Sequence, residues 1–191
     1  MTTSAAAAEA TRARIVETAV EAFSTRWYDE VTIRGVARNA GVALQTVRNH
    51  FATKDDLFLA ATERIQASID SVRWAVTPGD VAAAVTTLVD DYERNGDANL
   101  RMLAVEPRVA VVAPLMAHGR AGHQAWVEHV FAAALAGLRG KARARRLAQL
   151  VVVTDVYSWK LLRRDKELDR NQTITAMREL VLALYPDSEG A

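Results

Sequence analysis

Length, composition and charge set the first limits on this chain. It has 191 residues, of which 50% are hydrophobic and 25% charged, so it can bury one sizeable core, or one core and a small second domain. The absence of cysteine excludes disulfides, thiolate metal sites and cysteine nucleophiles, and the net charge of +1 means that any basic surface must be local. No stretch has the roughly 18 consecutive apolar residues of a membrane span, and the first residues lack the apolar block of a secretory signal. We therefore expect a cytoplasmic, globular protein that does not associate with membranes.

The N-terminal residues are predicted to form a disordered tail followed by two helices. Residues 1–10 are alanine-rich and are assigned to the tail. Apolar residues then recur at helical spacing over about 11–26. A short second helix is predicted behind the N-cap Thr32, and it ends near Gly41, where glycine allows the positive φ that closes a helix.

The next segment is predicted to contain a third short helix and a long fourth one. The third helix covers about 43–50. Thr53 and Asp56 form a capping box at the start of the fourth, which keeps one apolar stripe from Lys54 to about Ala75. At 1.5 Å per residue this helix spans roughly 30 Å, enough to join a small N-terminal domain to a larger body without a flexible linker.

The remainder of the chain is predicted to be a helical bundle. Asn95 and Gly96 are expected to end its first helix, and Pro107 to end a short one after it. The run RVAVVAPLMAHG contains valines that suit a strand, but no partner strand is apparent, so it is assigned to a helix that Pro114 either kinks or begins. The predicted helices lie at about 81–94, 98–106, 108–119, 124–138, 142–164 and 171–184, the last behind a capping box of Asp169 and Gln172. The predicted fold class is all-α.

The two short helices joined at Gly41 have the pattern of a helix-turn-helix. Ala37 is small enough to allow close approach, and Val47 fills the space between the helices. Val42, Val47 and Phe51 form the inner face of the second helix. The residues that must then face outward or lie near the edge are Leu44, Gln45, Thr46, Arg48 and Asn49. A B-form major groove admits one such helix, in which Gln and Asn can bond adenine and Arg can bond guanine or a phosphate.

The flanking helix starts add candidate phosphate contacts. Thr32 and Arg34 begin the preceding helix and Lys54 begins the following one, on either side of the groove. The full set of candidate DNA contacts is Thr32, Arg34, Leu44, Gln45, Thr46, Arg48, Asn49, His50 and Lys54. On residue types alone, an ordinary helical corner with a solvated face fits this segment equally well, because short polar helices are common.

A series of motifs extends from Arg14 to Leu57: an A-x-x-x-F at Ala19 to Phe23, then VTIRGVARNAGV, then T-V-x-x-H-F and Lys54. This series resembles the N-terminal DNA-binding domain of the tetracycline-repressor (TetR) family. The resemblance implies a homodimeric bacterial transcription regulator, usually a repressor, that is released from double-stranded operator DNA when a small molecule enters the body. The predicted domains are then a helix-turn-helix domain over 11–55 and a helical effector-binding and dimerisation domain over 56–187.

Several residues depart from the usual family pattern. Trp27 stands where the family usually has a glycine after its first helix, and Ala43 stands where a serine usually caps the reading helix, which costs about 1 kcal/mol of capping. Gln45 replaces a common glycine. Arg48 replaces a common tyrosine that touches the DNA backbone, and arginine can make that contact with a charge. The operator sequence is therefore not transferable from relatives.

The two long helices near the C-terminus are apolar on more than one side. Either one face serves the core and another a partner chain, or both helices lie centrally within one protomer, and the residues alone do not decide. The resemblance favours a four-helix interface between two chains and a palindromic operator. The predicted interface residues are Leu147, Val151, Thr154, Leu161, Ile174, Met177, Val181 and Leu184.

Candidate effector contacts are apolar or aromatic residues with a few polar groups. They are Tyr92, Met102, His123, Trp126 and Tyr157, each of which is better explained as a core residue. The sequence does not identify the effector.

An enzyme has little support in this sequence. His118, His123 and His129 are five and six residues apart, which turns about 140° and 240° around a helix, so they do not share a face as a metal pair would. No nucleophile elbow or phosphate-binding glycine loop is present. We expect no metal and no cofactor. The alternative to a DNA-reading regulator is a helical small-molecule-binding protein, or an enzyme, whose helix-turn-helix does not read DNA.

Overall fold

The regular secondary structure is helical throughout the part of the chain that can be described. A computed structural model describes residues 2–185, and no strand occurs among them, so the all-α prediction is confirmed. None of the helices over this range is long and apolar enough to cross a membrane. Residue 1 of the predicted tail and residues 186 and 187 of the predicted second domain lie outside the described residues. The helices are α1 (Thr2–Thr25), α2 (Ile33–Asn39), α3 (Leu44–His50), α4 (Lys54–Arg73), α5 (Val81–Val105), α6 (Val112–Val130), α7 (Ala132–Leu135), α8 (Gly140–Thr154), α9 (Val156–Lys160) and α10 (Arg170–Leu182).

Contacts within the chain divide it into two compact units. The first runs to Ile69 and also contains Arg101–Ala113, and the second comprises Asp70–Leu100 and the chain from Pro114 onward. This division differs from the boundary predicted between residues 55 and 56. The reason is that α4 contributes Phe58 to the core of the first unit, where its ring packs edge-on against those of Phe23 and Tyr28.

In the first unit, α1 begins earlier than the sequence predicts. The helix extends back to Thr2, where a disordered tail was expected over 1–10. Alanine has the highest intrinsic helix propensity, so the run Ala5 to Ala8 can continue the helix although these residues are exposed. The buried stripe of α1 is the predicted one, with Ile15, Ala19 and Phe23 almost completely inaccessible.

The predicted caps position the two short helices of the first unit. Thr32 Oγ1 accepts a hydrogen bond from the Gly35 amide at 3.0 Å, and Gly41, with φ of 66°, closes the turn after α2. At the start of α4, the Asp56 amide donates to Thr53 Oγ1 at 3.1 Å, and the Thr53 amide donates to Asp56 Oδ2 at 2.9 Å. These local bonds set where α2 and α4 begin.

In the second unit, the predicted break at Asn95 and Gly96 is wrong, because α5 runs uninterrupted from Val81 to Val105. Gly96 serves close packing instead. A Cβ atom at this position would lie 2.5 Å from Cζ3 of Trp159, so the glycine admits the indole ring. A glycine inside a helix can therefore mark a close contact and need not mark an end.

The C-terminal helices are also divided differently from the prediction. The predicted helix over 142–164 is broken after Thr154, where Asp155 caps α9 by accepting from the Tyr157 amide at 2.9 Å. A π-helical turn, Leu161–Asp165, follows. The segments predicted at 108–119 and 124–138 form α6, with Pro114 in its first turn, and the short α7. The capping box of Asp169 and Gln172 is present at α10.

Candidate DNA-binding surface and buried polar cluster

The outer side of α3 carries the predicted reading residues. Val47 is fully buried and Phe51 nearly so, which fixes the inner side of the helix against the first unit. The outer side carries exposed Gln45, Arg48 and Asn49, beside partly exposed Leu44, Thr46 and His50. We call Gln45, Arg48 and Asn49 the reading face. Ala43 stands at the N-cap of α3 without a side-chain hydrogen bond, in line with the missing serine.

Two side chains of the reading face are paired with each other. Gln45 Nε2 donates to Asn49 Oδ1 at 2.9 Å, across one turn of α3. The pairing uses one donor of Gln45 and the acceptor of Asn49, and it leaves the Gln45 carbonyl and the Asn49 amide hydrogens for other partners. An adenine edge in the major groove presents one donor and one acceptor, which match these two remaining groups.

The candidate phosphate contacts lie at helix starts. Thr32 Oγ1 accepts from the Gly35 amide, so its hydroxyl hydrogen can donate elsewhere, and Arg34 is exposed. Lys54 is only partly exposed, because its Nζ lies 4.0 Å from the ring centroid of Tyr28. Tyr28 in turn donates its hydroxyl to Asp55 Oδ1.

Tyr28 is a contributor to this surface that the sequence analysis missed. Its ring supports the Lys54 ammonium by a cation–π contact, which holds the cation at the start of α4. Burial lowers the pKa of Lys54, and the nearby carboxylates of Asp29 and Asp55 act in the opposite direction. The contact depends on tertiary packing, so the spacing of residues along the chain does not predict it.

The helix-turn-helix, with its exposed polar second helix, is similar to a known family of DNA-binding domains. The family model for bacterial regulatory proteins of the tetR family matches residues 15–61, which include α2 and α3 and the start of α4. The match covers the N-terminal domain, which is therefore of the TetR type. The matched domain and the fold support a DNA-binding transcriptional regulator.

The similarity to solved structures extends well beyond the matched domain. A transcriptional regulator from Rhodococcus sp. Rha1 is 16% identical with a TM-score of 0.71, covering 91% of this chain and 95% of that one. A TetR-family regulator from Streptomyces coelicolor is 24% identical with a TM-score of 0.68, covering 91% and 93%. The multidrug binding protein EbrR, complexed with imidazole, is 22% identical with a TM-score of 0.64, covering 94% and 92%. No curated protein sequence matches the chain.

The second unit contains a buried polar cluster around Arg73. The Arg73 Nη2 atom lies 2.5 Å from Asp91 Oδ2, and the two side chains are only 11% and 5% exposed. The guanidinium carbon lies 5.4 Å from the ring centroid of Tyr92 and 5.5 Å from that of Trp126. The indole Nε1 of Trp126 donates to the backbone carbonyl of Arg73 at 2.9 Å. We call Arg73, Asp91, Tyr92, His123 and Trp126 the Arg73 cluster.

His123 completes a chain of hydrogen bonds through the Arg73 cluster. Its Nδ1 lies 3.4 Å from Arg73 Nη1, which can only donate, so Nδ1 is the acceptor. Its Nε2 therefore carries the hydrogen and lies 3.1 Å from Thr154 Oγ1, which donates to the Leu150 carbonyl at 2.7 Å. Burial, reinforced by the charge of Arg73, lowers the pKa of His123 to about 3. The imidazole is thus neutral at physiological pH.

The predicted effector residues are only partly brought together. Tyr92, His123 and Trp126 belong to the Arg73 cluster, whereas Tyr157 is 53% exposed and Met102 falls in the first unit. Over residues 2–185, no group of three His, Asp or Glu side chains is arranged to hold a metal ion. The effector assignment itself stays a prediction.

The sequence analysis missed the two charged members of the Arg73 cluster. Arg73 follows Ile69 by four residues on the apolar stripe of α4, and Asp91 follows Leu88 by three on that of α5. Opposite charges on two buried stripes were the available signal. Each charged residue taken alone is typical of a solvated helix surface, so neither was predicted to belong to a binding site.

The predicted dimer contacts differ in their burial within the protomer. Leu147, Thr154, Met177 and Val181 are buried within the protomer, so they are not available to a partner chain in this conformation. Val151, Ile174 and Leu184 are partly exposed, and Leu161 is 55% exposed. The sequence distinguished two apolar faces on each helix, and burial shows which of the two is occupied by the protomer core. The exposed large apolar residues of α8 and α10 are Val152, Leu180 and Leu182. Exposed Ala148 lies one turn before Val152, and exposed Ala183 caps the end of α10.

Proposed function

We propose that this protein is a transcriptional repressor that binds a palindromic operator as a homodimer and is released by a small-molecule effector. The exposed reading face of α3 is the observation that supports DNA reading. Gln45, Arg48 and Asn49 have hydrogen-bonding groups suited to base edges and phosphates, on a helix whose other side is buried. Since bacterial DNA lies in the cytoplasm, the protein is assigned to that compartment.

Selection of bound sequences from random duplex DNA tests this function directly. The purified full-length protein is expected to enrich a short palindrome whose half-sites lie about one helical turn or a multiple apart, at a stated salt concentration. A population without an enriched motif, and weak binding that only follows salt, would contradict operator reading. The body of the protein would then carry its function.

Exposed apolar side chains support the homodimer. Val152 of α8 is 63% exposed and Leu180 of α10 is 44% exposed, and these two helices pack against each other within the second unit. A two-fold axis between two copies of this pair would produce a four-helix interface that covers both side chains. The arrangement requires no residue of the protomer core.

A charge at the proposed interface should separate the protomers. We expect Val152→Asp combined with Leu180→Asp to sediment as a folded monomer, and Val72→Asp to serve as the matched control. Val72 is a 46% exposed valine on α4, outside the two interface helices. Dimers that persist in the double variant, with a native circular dichroism spectrum, would exclude this interface.

The Arg73 cluster supports the third part of the proposal, an effector site in the second unit. Three of the predicted effector residues, Tyr92, His123 and Trp126, meet around one buried cation. Aromatic side chains together with a few placed polar groups are common in small-molecule sites. The chemistry of this cluster also restricts what the effector can be.

A further inference from the structure

The Arg73 cluster has the composition of a cation-binding site. The guanidinium of Arg73 occupies it, with the rings of Tyr92 and Trp126 at 5.4 and 5.5 Å and the carboxylate of Asp91 at 2.5 Å. Aromatic faces attract a cation, and a carboxylate that is only 5% exposed requires one. The side chains around the guanidinium therefore form a place for one positive charge.

The surroundings of Asp91 decide the sign of any group that takes this place. Apart from Arg73, Asp91 accepts a hydrogen bond from Asn95 Nδ2 at 2.7 Å, and this donor is neutral. An anion bound to Arg73 would draw the guanidinium away from Asp91, and a neutral molecule would displace it without replacing its charge. Both would leave a buried carboxylate without a counter-charge, which is costly. A cation avoids that cost.

Arg73 satisfies the site imperfectly. Its Nη1 and Nη2 atoms approach His123 Nδ1 and Asp91, but its Nε–H is buried and finds no acceptor among the described residues. An unpaired buried donor is unfavourable. An amidinium group presents the same two planar amino groups and has carbon where the guanidinium of arginine has Nε–H. The cluster therefore suits an amidinium better than the arginine it contains.

The side chain of Arg73 is also placed so that it can leave. Arg73 is the last residue of α4, and its backbone carbonyl is held by Trp126 Nε1 at 2.9 Å. Its side chain retains 11% exposure, so part of it already lies at the surface, and a guanidinium that reaches water is well solvated. Displacement of the side chain does not require the backbone to leave.

We infer that the Arg73 cluster is an effector site for compounds with a planar amidinium group, which pairs with Asp91 between Tyr92 and Trp126 and displaces the side chain of Arg73. The neutral His123 accepts from the second amino group of the ligand. This inference rests on the proposed function, because it supplies the signal that releases the repressor. The helix that ends at Arg73 begins at Lys54, a candidate phosphate contact, so the same helix carries both positions.

Benzamidinium and its neutral analogue benzamide test the site by isothermal titration on the full-length chain. Wild type is expected to bind benzamidinium saturably and to bind benzamide at least about tenfold more weakly. Arg73→Ala removes the competing side chain and is expected to bind benzamidinium about tenfold more tightly than wild type, with a rise in Tm. The double variant Arg73→Ala with Asp91→Ala should lose the preference for the cation.

The titrations can overturn the site. Equal affinity for benzamidinium and benzamide in wild type and Arg73→Ala, or no binding of either, would show that Arg73 and Asp91 form a structural ion pair only. A preference for the cation that survives in the double variant would equally exclude Asp91 as its partner. If Arg73→Ala does not fold, the shifts in Tm of wild type with benzamidinium and with benzamide are compared instead. A larger shift with benzamidinium supports the site, and equal shifts exclude it.

Operator binding separates this inference from the proposed function. Fluorescence anisotropy on the selected operator is measured with benzamidinium chloride and with benzamide plus an equal concentration of sodium chloride. Weaker operator binding only with benzamidinium supports the effector site. Unchanged operator binding at saturating benzamidinium overturns its role as an effector site but leaves the repressor intact. Absence of an operator in the ligand-free selection contradicts the proposed function itself.

Discussion

The reading face of α3 and the Arg73 cluster are both polar, but they differ in burial. Gln45, Arg48 and Asn49 are exposed, whereas Arg73 and Asp91 are almost completely covered. Exposed polar side chains contribute little to stability, and buried ones must be paired to be tolerated. Substitutions on the reading face should therefore alter DNA binding and leave the fold unchanged, and substitutions in the cluster should alter the stability of the protein.

Removal of the buried carboxylate is expected to have the largest effect. Asp91→Ala leaves Arg73 buried without its counter-charge, and we expect a loss of about 3–5 kcal/mol in the free energy of unfolding, measured by urea denaturation. The matched control is the neighbouring Asp90, whose ion pair with Arg170 at 2.6 Å is 33% exposed on the aspartate side. Asp90→Ala should cost at most about 1 kcal/mol. Similar losses in both variants would show that burial does not distinguish the two pairs.

The neutral histidine of the Arg73 cluster predicts a pH dependence of stability. The pKa of His123 is lowered from 6.5 to about 3 by burial and by Arg73. Between these two pH values the imidazole is protonated in the unfolded chain and neutral in the folded chain. The stabilisation is complete above pH 6.5 and is lost progressively as pH falls from 6.5 towards 3, by up to about 1.4 kcal/mol for each pH unit.

The contribution of His123 can be isolated by comparing slopes. The free energy of unfolding of wild type and His123→Gln is measured from pH 7.5 down to about 4.5, above the usual carboxylate range. The difference between the two proteins should change with pH below 6.5 and stay constant above it. Parallel curves over the whole range would mean that the imidazole is protonated equally in the folded and unfolded states.

A glycine beside the cluster tests how tightly the second unit is packed. Trp159, whose ring lies 5.9 Å from that of Tyr92, occupies the space that a side chain at Gly96 would need. We expect Gly96→Ala to destabilise by about 1–3 kcal/mol in thermal or urea denaturation. Gly119 lies within α6 with no atom within 4 Å of an added Cβ, so Gly119→Ala should stabilise by up to about 1 kcal/mol. Stabilisation by both substitutions would remove the packing explanation for Gly96.

The sequence predicted the features that depend on neighbours along the chain. Thr32, Gly41 and the pair Thr53 and Asp56 act within a few residues of their own positions, so their patterns determined the helix boundaries near α2, α3 and α4. The outer side of α3 was equally local, since its polar residues fall where the buried Val47 requires no apolar neighbour.

The features that the sequence did not predict depend on packing between distant helices. Arg73 and Asp91 are 18 residues apart on different helices, and nothing local requires that either be buried. Gly96 was read as a helix end because the approach of Trp159 is invisible along the chain. In α10, Val181 and Leu180 lie on adjacent apolar faces, and only the structure shows that Val181 is the buried one.

On the reading face only the binding energy should change: Arg48→Ala should weaken operator binding about tenfold, or about 1.4 kcal/mol, without measurable loss of stability. If Arg48 contacts a phosphate, the loss applies to all duplexes, and the slope of log affinity against log salt falls by about 0.9. If Arg48 instead contacts guanine, the variant keeps the salt dependence of wild type and discriminates less strongly between bases at one position of the operator. Arg145→Ala, an exposed arginine of α8, controls for the loss of one positive charge. If the Arg48→Ala protein keeps the affinity, salt slope and specificity of wild type, then Arg48 does not contact the operator and does not belong to the reading face.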